Sequence, residues 1–153
     1  MMLSEHFSLE ELTFSSTGAR LGLFNVPNDE QISYLSRLAV TCLEPVRILL
    51  NSRSVMPLYI HVDSGYRSPR INHAVGGSVD SAHMDGRAAD IIPKPFPLRE
   101  AFDLIRLSAQ IPYDQIIFEY STWIHIAIAR ENEKPRRQAL IPIPNTDRYE
   151  LVV

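Results

Sequence analysis

The strongest constraint on this chain is a long aperiodic stretch set between two strand-like runs. Leu58-Tyr59-Ile60-His61-Val62 has the β-branched and aromatic content of a strand and ends at Ser64-Gly65, and residues 88–92 form a second short apolar run. Between them, residues 65–87 are rich in Gly, Ser, Arg, Asn and Asp and show neither a helical nor a strand period. A loop of this length inside a compact domain is usually either functional or disordered, and its strand-like borders argue for function. The chain has 153 residues, which suits one domain over residues 1–153. Its single cysteine, Cys42, excludes an intrachain disulfide and reads as a small buried hydrophobe on the apolar side of a helix.

The rest of the chain has clearer periods. Ser8 and Glu11 have capping-box spacing, so a short helix starts there, and Asn28 with Gln31 repeats the device. Ile32, Leu35, Leu38, Ala39, Cys42, Leu43, Val46, Leu49 and Leu50 then follow at helical spacing, which predicts a main helix over 29–51 with a kink near Pro45. A second amphipathic helix is predicted over 98–109. Strands are predicted over 115–119 and 123–129, joined by a tight turn, and again over 137–141. The fold class is therefore α+β, a small and mostly antiparallel sheet with helices packed on one side.

The net charge of −3, with both signs mixed along the chain, argues against a nucleic-acid partner. No run of about 18 apolar residues predicts a membrane span. The opening Met1-Met2-Leu3-Ser4-Glu5-His6-Phe7 has neither the basic nor the apolar region of a secretory signal, so synthesis in the cytoplasm is expected.

Chemistry concentrates at His83, Asp90 and His125. His83 closes the long loop and Asp90 lies on the strand that follows, with Gly86 permitting a turn between them. Trp123-Ile124-His125-Ile126-Ala127-Ile128 alternates, so the isoleucines claim the core while Trp123 and His125 face elsewhere. Two histidines and one carboxylate make a zinc ligand set that leaves a fourth tetrahedral position open, as catalytic zinc requires.

These residues sit within a longer ordered pattern. Ser64-Gly65-Tyr66-Arg67-Ser68 is followed by Asn72, then Gly76-Gly77-Ser78, then Ser81-x-His83-x-x-Gly86-x-Ala88-x-Asp90, and finally Trp123-x-His125. The pattern closely resembles that of the zinc D-Ala-D-Ala carboxypeptidase family, which includes phage endolysins and D-Ala-D-Ala dipeptidases. The opening His6-Phe7-Ser8-Leu9-Glu10-Glu11-Leu12-Thr13 also resembles short phage-type members, so the resemblance spans about residues 5–130. It implies one Zn2+ held by His83, Asp90 and His125 in a cleft on the sheet. It also implies an oxyanion-stabilising Arg67, with Arg67, Ser81 and Trp123 contacting a bound peptide. Asn72, Gly76, Gly77 and Ser78 are expected to shape the loop, and His61 and His73 to be structural or exposed. The implied partner is the stem peptide of bacterial peptidoglycan. It would be met by a monomer after release, or by a protein carried in a phage particle.

One position departs from the pattern. Many members carry the catalytic acid three residues before the last zinc histidine, where this chain has Thr122. The nearest carboxylate is Glu119. A two-residue turn at Ser121-Thr122 pairs Glu119 with Ile124 and points it away from the metal. A three-residue turn at Tyr120-Ser121-Thr122 pairs it with Trp123, on the face of His125. We expect the longer turn, with Glu119 as general base and Asp85 as the reserve. Thr122 also favours an alternative, a catalytically silent zinc-containing module for wall binding or phage structure.

Overall fold

The computed structural model describes residues 1–152. Its centre is a six-stranded sheet in the order β1-β2-β4-β3-β5-β6. The strands are β1 (Tyr59–Ser64), β2 (Ala88–Lys94), β3 (Gln115–Glu119), β4 (Trp123–Ala127), β5 (Gln138–Pro142) and β6 (Tyr149–Leu151). All neighbours are antiparallel except β3 and β5. The helices are α1 (Leu9–Thr13), α2 (Ser16–Leu21), α3 (Asp29–Leu38), α4 (Glu44–Asn51), α5 (Pro69–Ala74) and α6 (Leu98–Leu107). The α+β architecture expected from the sequence is the one found. No helix among the described residues is long and apolar enough to cross a membrane.

Alternation in the central strands divides the sheet into two faces. Ile91, Ile124, Ile126 and Ile116 turn to one side and are fully buried against Leu35, Leu38, Leu43, Phe102 and Ile105 of the helices. Burying each such side chain contributes about 1.5–3 kcal/mol, so this face fixes the register of the strands. The residues between them, Asp90, Trp123 and His125, are thereby held on the other face.

The main helix runs from Asp29 to Asn51, as its period predicts, but changes hydrogen bonding midway. A π-helical turn, Ala39–Leu43, joins α3 to α4, and the Glu44 N–H donates to the Ala39 carbonyl. Pro45 follows immediately. It has no N–H to give and its ring crowds the preceding turn, so the expected kink takes the form of this widened turn.

The stretch 65–87 is more ordered than its composition suggests. It contains α5, started by Ser68 and Pro69, and a 3₁₀ turn, Ala82–Asp85, started by Ser81. Elements of six and four residues are too short to show a period in the sequence. Helix α2 and strand β6 are too short in the same way, and α6 ends at Leu107 rather than at 109.

Candidate metal centre

His83 is clamped to the start of the loop it ends. Its Nδ1 lies 2.7 Å from the Gly65 carbonyl, and its own carbonyl accepts from the Arg67 N–H at 3.1 Å. A carbonyl can only accept, so Nδ1 carries the proton and Nε2 is left with a free lone pair, the tautomer a metal ligand needs. Two close approaches set this geometry. A side chain at Gly65 would put a Cβ 2.2 Å from the Leu12 carbonyl oxygen. Gly86, at φ +78°, lets the turn pass the first residues of α3, where a Cβ would lie 2.5 Å from the Gln31 carbonyl oxygen. Gln31 closes the predicted capping box with Asn28 and also donates to the Met84 carbonyl, tying α3 to the turn that bears His83.

Asp90 on β2 pairs directly with His125 on β4 and, past a bulge in β1, with Ser64. The three side chains converge. His83 Nε2 lies 3.2 Å from Asp90 Oδ1 and 3.2 Å from His125 Nδ1, and the latter two are 3.0 Å apart. Bonds of about 2.0–2.1 Å at tetrahedral angles hold donor atoms about 3.4 Å apart, so this triangle is close to the size a tetrahedral zinc ion requires. The donor set of two nitrogens and one carboxylate suits the same ion. Burial holds the His83 imidazole below its ordinary pKa, against the pull of Asp90. Burial alone would raise the Asp90 carboxyl, but His83 and His125 outweigh it and hold it well below the usual carboxylate range. The site thus holds a neutral imidazole beside an ionised carboxylate.

The trio opens into a cleft of about 720 Å³, lined also by Arg67, Ser81, Glu119, Trp123 and Tyr149. Arg67 is mostly buried. Its Nη1 donates to Asn72 Oδ1 at 3.1 Å, and its Nη2 sits 3.8 Å from Asp90 Oδ2. Asn72 is itself buried and donates to the Ser78 carbonyl, so it braces the arginine and the loop together. Gly77 is the gap that permits this, because a Cβ there would lie 2.1 Å from Asn72 Oδ1. Ser81 lines the cleft while its hydroxyl accepts from the His83 N–H at 3.3 Å. His61 and His73 are exposed and lie apart from the trio.

The turn between β3 and β4 is the three-residue one. Glu119 pairs with Trp123 and Ile117 with His125, which puts Glu119 on the metal-facing side of the sheet. Tyr120 and Ser121 both take positive φ, +50° and +59°, and Thr122 N–H donates back to the Glu119 carbonyl. Burial raises the Glu119 carboxyl above its ordinary pKa. Thr122 itself is exposed and its hydroxyl donates to the Tyr120 carbonyl. Asp85, the reserve base, is turned elsewhere, since its carboxylate is bound by Arg87 at 2.9 Å and faces Arg130 at 3.6 Å.

Two participants were not visible in the sequence. Tyr149 donates its phenol to Glu119 Oε2 at 3.0 Å, and the only hint of its strand is the alternation of Tyr149, Glu150 and Leu151. Asn25 donates to the Thr13 and Tyr66 carbonyls and accepts from the Ser68 N–H, securing the loop just before Arg67. No periodic or spacing signal marks it.

An α+β sheet carrying two imidazoles and a carboxylate in an open cleft makes a candidate metal site with room for a substrate. The chain belongs to the peptidase M15 family, whose profile matches residues 5–127. That family is one of zinc-dependent metallopeptidases. Comparison with curated proteins returned no match.

Proposed function

We propose that this chain is a zinc peptidase that hydrolyses the peptide part of bacterial peptidoglycan, as a D,D-carboxypeptidase or an endopeptidase. The observation that carries this reading is the shared face of one cleft. Three ligand atoms lie within 3.2 Å of one another there, and Glu119 projects from the adjoining strand on the same side.

In this reading His83 Nε2, Asp90 Oδ1 and His125 Nδ1 hold the ion. Zinc so held supplies Lewis acidity, polarising a carbonyl and bringing the pKa of water toward about 7. Glu119 accepts the proton of the attacking water and returns it to the leaving amine. A carboxyl raised by burial is better matched to that shuttle than an ordinary one. Arg67 bears a fixed guanidinium and stabilises the oxyanion that develops on the scissile carbonyl. Trp123 and Ser81, which line the cleft, contact the peptide. The charges lining the cleft are of both signs, which suits stem peptides carrying ammonium and carboxylate groups. In this reading the protein acts on the wall as a monomer after release, or as a part of a phage particle, with no nucleic-acid or membrane partner.

Glu119→Gln is expected to bind one equivalent of zinc and to clear purified cell walls at least about 100-fold more slowly than wild type. Clearing at the wild-type rate removes Glu119 from the mechanism. A wild-type protein that binds zinc and walls without clearing them supports the silent module that Thr122 favours.

A further inference from the structure

We propose that Tyr149 is a positioning residue for Glu119, supplied by the C-terminal β5–β6 hairpin to hold the carboxylate of the base in place. The proposal rests on the peptidase reading above. Tyr149 lies outside the matched residues 5–127, so the family match assigns it no role.

The sheet sets up the contact. β3 and β5 run parallel with Ile117 beside Leu140, and continuing that register two residues sets Glu119 beside Pro142. Pro142 pairs in turn with Tyr149. Glu119, Pro142 and Tyr149 thus form one row across three strands. Two strand spacings are about 9.5 Å, a gap a tyrosine and a glutamate can close only by reaching toward each other. The phenol and carboxylate meet at 3.0 Å. Both residues line the cleft.

The contact answers a specific need. Glu119 is the last residue of its strand, and the turn beyond it holds two non-glycine residues at positive φ. The half-buried Glu119 side chain needs a fixed rotamer if it is to act on a proton, and among the described residues the hydrogen bond to its carboxylate comes from Tyr149. A phenol donating to Oε2 fixes it and leaves Oε1 to accept a proton. The other groups acting on this carboxylate are His125 on β4 and Asp90 on β2, and Tyr120 in the turn acts on the phenol. Burial and the Glu119 charge hold that phenol well above its ordinary pKa, so it stays a donor across the working pH range.

The test uses the full-length zinc-loaded chain and Tyr149→Phe, which keeps the ring and removes only the hydroxyl. With a soluble peptidoglycan fragment as substrate, kcat is expected to fall about tenfold or more while KM, zinc content and thermal midpoint stay within error. A kcat within twofold of wild type, or a change confined to KM, overturns the proposal. A second readout needs no turnover. In the metal-free protein, the carbon-13 resonance of the Glu119 carboxyl, assigned by its loss in Glu119→Gln, is expected to titrate at higher pH in Tyr149→Phe. An unchanged titration overturns the positioning role even if activity falls. If the wild type holds zinc but hydrolyses nothing, the peptidase reading fails, and the resonance alone decides whether Tyr149 holds Glu119.

Discussion

His83 is fixed from three directions: by the Gly65 carbonyl on its ring, the Arg67 N–H on its carbonyl and the Ser81 hydroxyl on its N–H. Arg67 is fixed less directly, through Asn72, and that brace depends on the absence of a side chain at Gly77. Gly77→Ala sets a methyl 2.1 Å from Asn72 Oδ1 and 2.9 Å from Arg67 Nη1. The variant is expected to lose about 1–3 kcal/mol of stability, read by denaturant melts, and to hydrolyse walls at least about tenfold more slowly while still binding zinc. Unchanged hydrolysis would show that Arg67 needs no brace. Single residues differed in how visible they were beforehand. His83, Asp90 and His125 are each weak signals alone, and they stand out because alternation and a turn aim them and because they fall in one long ordered pattern that resembles a known zinc peptidase family. Asn72 was assigned to loop shaping, but its bond to Arg67 joins side chains whose meeting depends on how the loop folds back. Asn25 and Tyr149 were not legible beforehand, because what they do is set by partners 12 to 43 positions away.

Among the elements, the β3–β4 turn decides the most. Its length sets which face Glu119 takes, and the alternation of Ile124 and Ile126 made the question answerable from sequence. The conformation of the turn was not foreseeable in the same way. Tyr120 and Ser121 are poor residues for positive φ, and each pays about 1–2 kcal/mol for that conformation relative to glycine. Ser121→Gly is expected to raise stability by about 0.5–1 kcal/mol net of the entropy of glycine, a rise in melting midpoint of about 1–4 °C, with hydrolysis unchanged. A lower midpoint would mean that the Ser121 side chain makes a contact that matters more than its backbone cost. The loop over 65–87 shows the opposite limit. Its function was legible from its length and borders, whereas its helices were not, since α5 and the 3₁₀ turn are defined by hydroxyl caps and tertiary contacts rather than by period.

On the scale of the whole molecule, one sheet separates two tasks. The helix-covered face supplies stability, and the other face gathers the loop, β2, β4 and β3 around a single cleft. The three candidate ligands come from separate segments, so the donor triangle forms only when the domain is folded, and a metal bound there would be coupled to folding. Architecture and sheet composition were readable because the apolar pattern of each long element points to one core. The C-terminal hairpin was only half visible, since β6 is short and exposed, yet it reaches Glu119. The central claim is that this fold uses a metal at His83, Asp90 and His125 to cut wall peptides. Mass spectrometry of purified peptidoglycan incubated with the zinc-loaded protein tests it most directly, with a chelator-treated sample and His83→Ala alongside. The account predicts soluble fragments ending at one defined peptide bond, released by the zinc-loaded wild type and absent from both controls. A wall left intact by a protein holding one equivalent of zinc, or equal cleavage by His83→Ala, would contradict it.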